Sequence, residues 1–204
     1  MFFMGQEFGA SAPFVFFADH KQELAAQVSR GRKEFLSQFP SSASPQGRSH
    51  IPDPCDLATV RRCRLDLGER LRHAPLYRYH RDLIRLRRHD PVVGAQRRDR
   101  LDGAVLSERA LVIRFFGDGG DDRLFLINVG GDLAYNPAPE PLLAPPTGRS
   151  WRLLWSSDDP AYGGPGVVHP CSDHRWVIPS NSAALLGPGE GSATDSEDKT
   201  TGRG

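Results

Sequence analysis

Apolar positions along the chain follow two different periods, and the change falls near residue 101. Before it they recur at helical spacing. Leu24, Val28 and Phe35, with Gly31 between them, share one face and predict a helix to about Leu36. Asp19 is placed to cap it, with Gln22 completing a capping box, and Pro40 closes the segment. The polar, proline-containing stretch from Ser41 to Pro54 reads as a surface linker. Asp56 with Thr59 then opens a short helix to about Arg64. From Pro75 to Arg88 the pattern is clearest: Leu76, Tyr79, Leu83 and Ile84 form an apolar stripe, and Arg78, Arg81, Arg85 and Arg88 face away from it. Asp90-Pro91 ends this helix, because the residue before a proline is biased out of the helical region.

After Asp102-Gly103 the period shortens to that of strands. Ala104–Leu106, Ala110–Phe116, Arg123–Val129, Trp151–Trp155, Trp176–Ile178 and Ala183–Leu186 are short β-runs bounded by glycine and proline. Regular short strands with turn residues between them predict an antiparallel β-sandwich. Asp118-Gly119-Gly120-Asp121-Asp122 supplies a hairpin turn. Along Trp151–Trp155, alternation puts Trp151, Leu153 and Trp155 on one face, and a face of that composition is core. The fold class expected is therefore α+β. Its domains are 1–101, a sandwich at 102–187, and a tail at 188–204 too poor in apolar residues to fold.

Composition narrows the possible partners. The chain has 204 residues and a formal net charge of +1, which argues against an obligatory nucleic-acid or membrane partner. Its arginines, dense over Arg61–Arg64 and Arg81–Arg100, are interleaved with Asp66, Glu69, Asp82, Asp90 and Asp99. They lack the aromatic interleaving of single-strand binders, so they read as a solvated helix exterior. Cys55, Cys63 and Cys171 include no Cys-x-x-Cys pair, which points to a reduced, cytoplasmic setting without a metal site or disulfide framework. The histidines are scattered singly, and no metal or other cofactor is expected. The apolar start lacks a basic n-region and is interrupted by Gln6 and Glu7, unlike a signal peptide.

That opening carries the most specific signal. Met1-Phe2-Phe3-Met4 stops at Gly5 and polar Gln6 and Glu7 follow, as where a buried barrel strand delivers its last residues to a surface. With Pro13-Phe14-Val15-Phe16-Phe17-Ala18-Asp19-His20 and Gly31-Arg32-Lys33-Glu34-Phe35, the stretch resembles the end of the catalytic barrel of the maltooligosyltrehalose trehalohydrolases. These are α-amylase-type glycoside hydrolases of bacterial trehalose synthesis. Trp151 to Pro160 and Tyr162-Gly163-Gly164 are similar to the family's terminal domain. The resemblance implies that residues 1–101 are strand eight and the last helices of an incomplete (β/α)8 barrel, followed by the β-sandwich. It further implies that Phe2, Phe3, Phe14, Phe16 and Phe17 have lost their packing partners. Glucan branching enzymes share a similar strand-end segment but not the C-terminal motif.

Glycosidases of this type need two carboxyl groups flanking the scissile bond. By the resemblance, the nucleophile, the acid/base and a third supporting carboxylate all precede the Met-Gly-Gln-Glu-Phe segment. No catalytic residue is therefore expected here, and the chain alone should be inactive. The candidates for substrate contact at the barrel rim are Glu7, Asp19 and His20. Each has a plainer role available: a partner for an arginine, a helix cap, and a loop histidine bonded to backbone. The ligand implied for the complete enzyme is maltooligosyltrehalose or an α-glucan. A chain that only binds α-glucan, or only supports a barrel, is the alternative.

Overall fold

The computed structural model describes residues 2–138, 140–172 and 175–190. The chain forms two compact units, Met1–Tyr77 and Arg78–Gly204.

The first unit is helical. It contains α1 (Gln22–Leu36), α2 (Pro40–Ala43), α3 (Pro45–Ser49), α4 (Leu57–Arg62) and α5 (Glu69–Arg72), and the start of α6 (Ala74–His89). Phe2–Met4 form no strand, and Phe2, Phe3 and Met4 are exposed. An extended segment becomes a strand only through ladder pairing with a neighbouring strand, and none of the described strands includes these residues. A 3-10 turn, Gln6–Phe8, follows instead and buries the Phe8 ring. Gly5 at φ 80° begins this turn, and a side chain there would meet the Ala10 Cβ at 2.5 Å, so glycine is required on both counts. The expected linker after Pro40 contains α2 and α3. Proline stands at the first position of each, where its missing N–H costs nothing. Asp56 caps α4 as expected, accepting from the Ala58 amide at 2.8 Å.

The second unit is a two-sheet sandwich with helices on one side. The C-terminal half of α6 and α7 (Pro91–Gly94) lead into eight strands. These are β1 (Leu101–Ser107), β2 (Ala110–Phe115), β3 (Arg123–Asn128), β4 (Leu133–Tyr135), β5 (Arg149–Ser156), β6 (Cys171–Ser172), β7 (Arg175–Ile178) and β8 (Ser182–Glu190). A five-stranded sheet has the order β1-β2-β3-β8-β5 and a three-stranded sheet the order β4-β7-β6, all pairs antiparallel. Their facing sides enclose Val112, Leu124, Leu126, Leu143, Trp151, Trp176, Ile178 and Leu186. All six runs read from the sequence are strands. The short strands β4 and β6, three and two residues long, carry too little pattern to be seen in advance. Residues 191–204, most of the expected tail, lie outside the described residues, while Pro188–Glu190 belong to β8.

The tryptophans are buried as expected, but not on one face. Leu153 pairs with Leu186 and Trp155 with Leu185, so Leu154 is an extra residue in β5. Such a bulge reverses the alternation beyond it. Trp151 therefore lies in the core between the sheets, whereas Trp155 packs on the other side of the large sheet against Phe125, Tyr79 and Tyr162. Tyr79 belongs to the packed face of α6 with half-buried Asp82, Leu83 and Leu86, and Ile84 from the predicted stripe is exposed. Asp82 Oδ2 accepts from the Tyr162 hydroxyl, whose oxygen accepts from Trp155 Nε1.

Candidate functional site

The residues expected at a barrel rim lie in the first unit. Glu7 is half-buried in the Gln6–Phe8 turn, and Asp19 and His20 are exposed just before α1. Asp19 does not cap that helix: the N-cap position is Lys21, and no side chain bonds there. The chain is still extended at Lys21, ψ 153°, so the helix begins too late for a carboxylate two residues earlier to reach its amides. Among the described residues, none of the three side chains makes a hydrogen bond or ion pair.

The carboxylate that does bind the loop after the Gln6–Phe8 turn was not legible from sequence. Glu69, buried and 58 residues further along, accepts from the Ser11 hydroxyl at 2.6 Å and from the Ser11 amide at 2.9 Å. Arg72 stands 3.3 Å away and bridges to Asp66 at 2.8 Å. His73 Nδ1 donates to the Phe8 carbonyl at 2.7 Å, which fixes the proton on that nitrogen. The donors, Ser11 first, hold the Glu69 carboxyl below its ordinary range. A carboxyl whose folded pKa is depressed stabilises the fold above its unfolded pKa, and that contribution is lost as pH falls through the folded value. Exchange protection of the Ser11 amide, followed by NMR, is therefore expected to persist through the ordinary carboxylate range and collapse only at more acidic pH. Glu69→Gln should remove that acid transition, and an unchanged profile in the variant would assign the protection elsewhere.

Beside the Phe14–Phe16 segment is a groove of about 470 Å³. Phe14, Phe16, Arg32, Ser41, Ser42 and His50 are among its lining. The Arg32 guanidinium sits 5.3 Å from the Phe16 ring and 5.8 Å from that of Phe35. Rings, hydroxyls and a cation suit contact with a sugar, but the lining contains no Asp or Glu. Glycoside hydrolysis needs a pair of carboxyls about 5 Å apart or wider. The groove therefore offers binding groups without hydrolytic ones.

In the second unit, a cleft of about 190 Å³ is lined by Pro91, Arg97, Arg100, Phe116, Asp118 and Asp121. Its carboxylates are already engaged. Asp118 pairs with Arg100, and Asp121 with Arg123 at 2.6 Å. Arg123 also binds Asp90 at 2.8 Å, and Asp90 caps α7 through the amides of Val92 and Val93. These acids hold the loop and helix together and leave no free pair for acid/base work. No group of three or more His, Cys, Asp and Glu that could hold a metal occurs among the described residues. Cys55 and Cys63 form no disulfide among the described residues. No helix among the described residues is long and apolar enough to cross a membrane.

A solved structure, the trehalose-6-phosphate hydrolase of Bacillus licheniformis, superimposes with a TM-score of 0.50 at 14% identity, covering 91% of this chain and 35% of that one. The family model described as "Domain of unknown function (DUF3459)" matches residues 98–173. The malto-oligosyltrehalose trehalohydrolase of Deinococcus radiodurans is 38% identical over 138 residues, 65% of this chain and 21% of its own length. That of Mycobacterium tuberculosis is 44% identical over 93 residues, 44% of this chain and 15% of its own. The chain is thus similar to malto-oligosyltrehalose trehalohydrolases over these stretches, and spans about a fifth of the first relative's length.

Proposed function

We propose that this chain serves as the C-terminal part of a malto-oligosyltrehalose trehalohydrolase, with residues 1–101 closing the catalytic barrel and residues 102–187 forming its β-sandwich. The complete enzyme would hydrolyse the α-1,4-glucosidic bond next to the terminal trehalosyl unit and release trehalose, and this segment would supply support and rim contacts. Glu7, Asp19 and His20 would be rim contacts, since their side chains have no partner among the described residues. The observation that carries the reading is the pairing of 38% identity to such an enzyme with a rim-side groove that lacks carboxylates.

The test uses a chimera in which this chain replaces the matched stretch of the Deinococcus radiodurans relative. The chimera is expected to release trehalose from maltooligosyltrehalose, and the chain alone to release none above a blank. Trehalose released by the isolated chain would place catalytic groups within it and overturn the assignment. A sandwich that binds α-glucan through its tryptophans is disfavoured because Trp151, Trp155 and Trp176 are all buried. Maltooligosaccharides should accordingly leave the chain's tryptophan fluorescence unchanged.

A further inference from the structure

Three segments assemble the groove of the first unit. One is the Phe14–Phe16 stretch, which forms no strand yet is tied down: the Val15 carbonyl accepts from Cys63 Sγ at 3.8 Å, and the Ala18 amide donates to the Pro54 carbonyl at 2.9 Å. The second is α1, through Arg32. The third is the α2–α3 hairpin, whose closure depends on Gly47, since a Cβ there would meet the Ser41 carbonyl oxygen at 2.3 Å. Arg48 fastens that hairpin, with Nε and Nη2 donating to the Ala43 carbonyl at 3.2 and 2.9 Å. The close approach brings Ser41, Ser42 and His50 to one groove.

These segments present donors that the fold itself does not use. Arg32 is half-buried against the Phe16 and Phe35 rings, and it makes no hydrogen bond or ion pair among the described residues. Its planar fork of N–H groups is therefore available. The Ser41 and Ser42 hydroxyls likewise have no partner among the described residues. The Gln46 carbonyl can only accept, so His50 Nδ1 carries the proton at 2.7 Å and Nε2 is left over. No Asp or Glu in the lining competes for the cation. Beside these groups, Phe14 is 66% exposed and Phe16 48%.

We propose that this groove binds a phosphorylated sugar, with the phosphate on Arg32, Ser41 and Ser42 and the sugar ring against Phe14 and Phe16. The volume of about 470 Å³ falls among those of small-molecule sites. A guanidinium fork and two hydroxyls exceed what the two oxygens of a carboxylate can use, whereas a phosphate ester offers three terminal oxygens. The exposed aromatic faces suit the C–H face of a pyranose ring, and His50 Nε2 accepts from one of its hydroxyls. The inference adds an anionic ligand to the neutral glucan of the functional reading and does not depend on it.

The test is calorimetric titration of the whole chain with glucose 6-phosphate, glucose and inorganic phosphate in turn. Glucose 6-phosphate is expected to bind roughly tenfold or more tightly than either of the others, as charge-assisted hydrogen bonds and ring contact act together. Arg32→Gln should remove that advantage over glucose, while Arg30→Gln, an equal charge change at an exposed position on the same helix, should leave it. Circular dichroism checks that both variants keep their helices. If Arg32→Gln loses them, Phe14→Ala decides instead: it should abolish the preference for glucose 6-phosphate over inorganic phosphate, and a retained preference would overturn the proposal. Equal affinity for glucose and its phosphate would overturn it too, as would inorganic phosphate binding as tightly as the ester, an equal loss in Arg30→Gln, or no binding at all. The titrations read binding and the chimera reads trehalose release, so either reading can fail without the other.

Discussion

Replacing Asp122 with alanine is expected to destabilise the sandwich by about 3–5 kcal/mol, the usual cost of stranding one member of a buried ion pair. Asp122 and Arg114 are both buried, and Oδ2 accepts from Arg114 Nε at 2.9 Å and Nη2 at 2.7 Å. Oδ1 accepts from the Gly117 amide at 3.0 Å, so the carboxylate also shapes the loop between β2 and β3. Arg114 in turn donates to the carbonyls of Leu142 and Ala144 and lies 5.3 Å from the rings of both Phe116 and Trp151. Without Asp122 the guanidinium stays fixed by those contacts and remains charged with no counter-ion. Removing both charges by Arg114→Leu with Asp122→Leu should cost less than the single change, because no lone buried charge is left. Urea denaturation followed by circular dichroism checks this. A loss below about 1 kcal/mol for Asp122→Ala would mean that water reaches the pair.

Trp155→Ala is expected to cost about 3 kcal/mol or more, in the range of buried aromatic truncations. The ring contacts Tyr79 at 5.5 Å, Tyr162 at 6.2 Å and Phe125 at 6.3 Å between centroids. Its Nε1 donates to Tyr162 Oη at 3.2 Å. The alanine variant would open a cavity between α6 and the sheet and leave the Asp82–Tyr162 bond without its neighbour. Trp155→Phe keeps an aromatic filler and should lose less. The same denaturation measurement distinguishes the two variants, and equal losses would show that the indole nitrogen, not ring volume, dominates.

Much of the sandwich could be read in advance because its strands alternate over a buried face, and burial enforces the period. Arg123–Asn128 illustrates this: Leu124 and Leu126 point to the core and the residues between them outward. The exception was β5, where alternation alone placed Trp155 with Trp151. A single extra residue changes the phase without changing composition, so nothing in the string of letters marks it. In the first unit the rim candidates were chosen for their positions at an expected strand end and helix start. Glu69, the carboxylate that holds the loop at Ser11, meets it only through a contact 58 residues long. Local spacing carries no information about such a pairing. Asp56 was recognisable as a cap because its partner, Ala58, is two residues away. Asp19 was misread because the helix start was displaced to Gln22.

The supernumerary Leu154 has an evolutionary corollary. With it, one strand faces the core between the sheets through Trp151 and the α6 side through Trp155, so adding or dropping a single codon between those tryptophans would exchange the layers they serve. Length drift among homologues should therefore be absent from that interval and tolerated in the Gly163–His169 connection, where no helix or strand is formed.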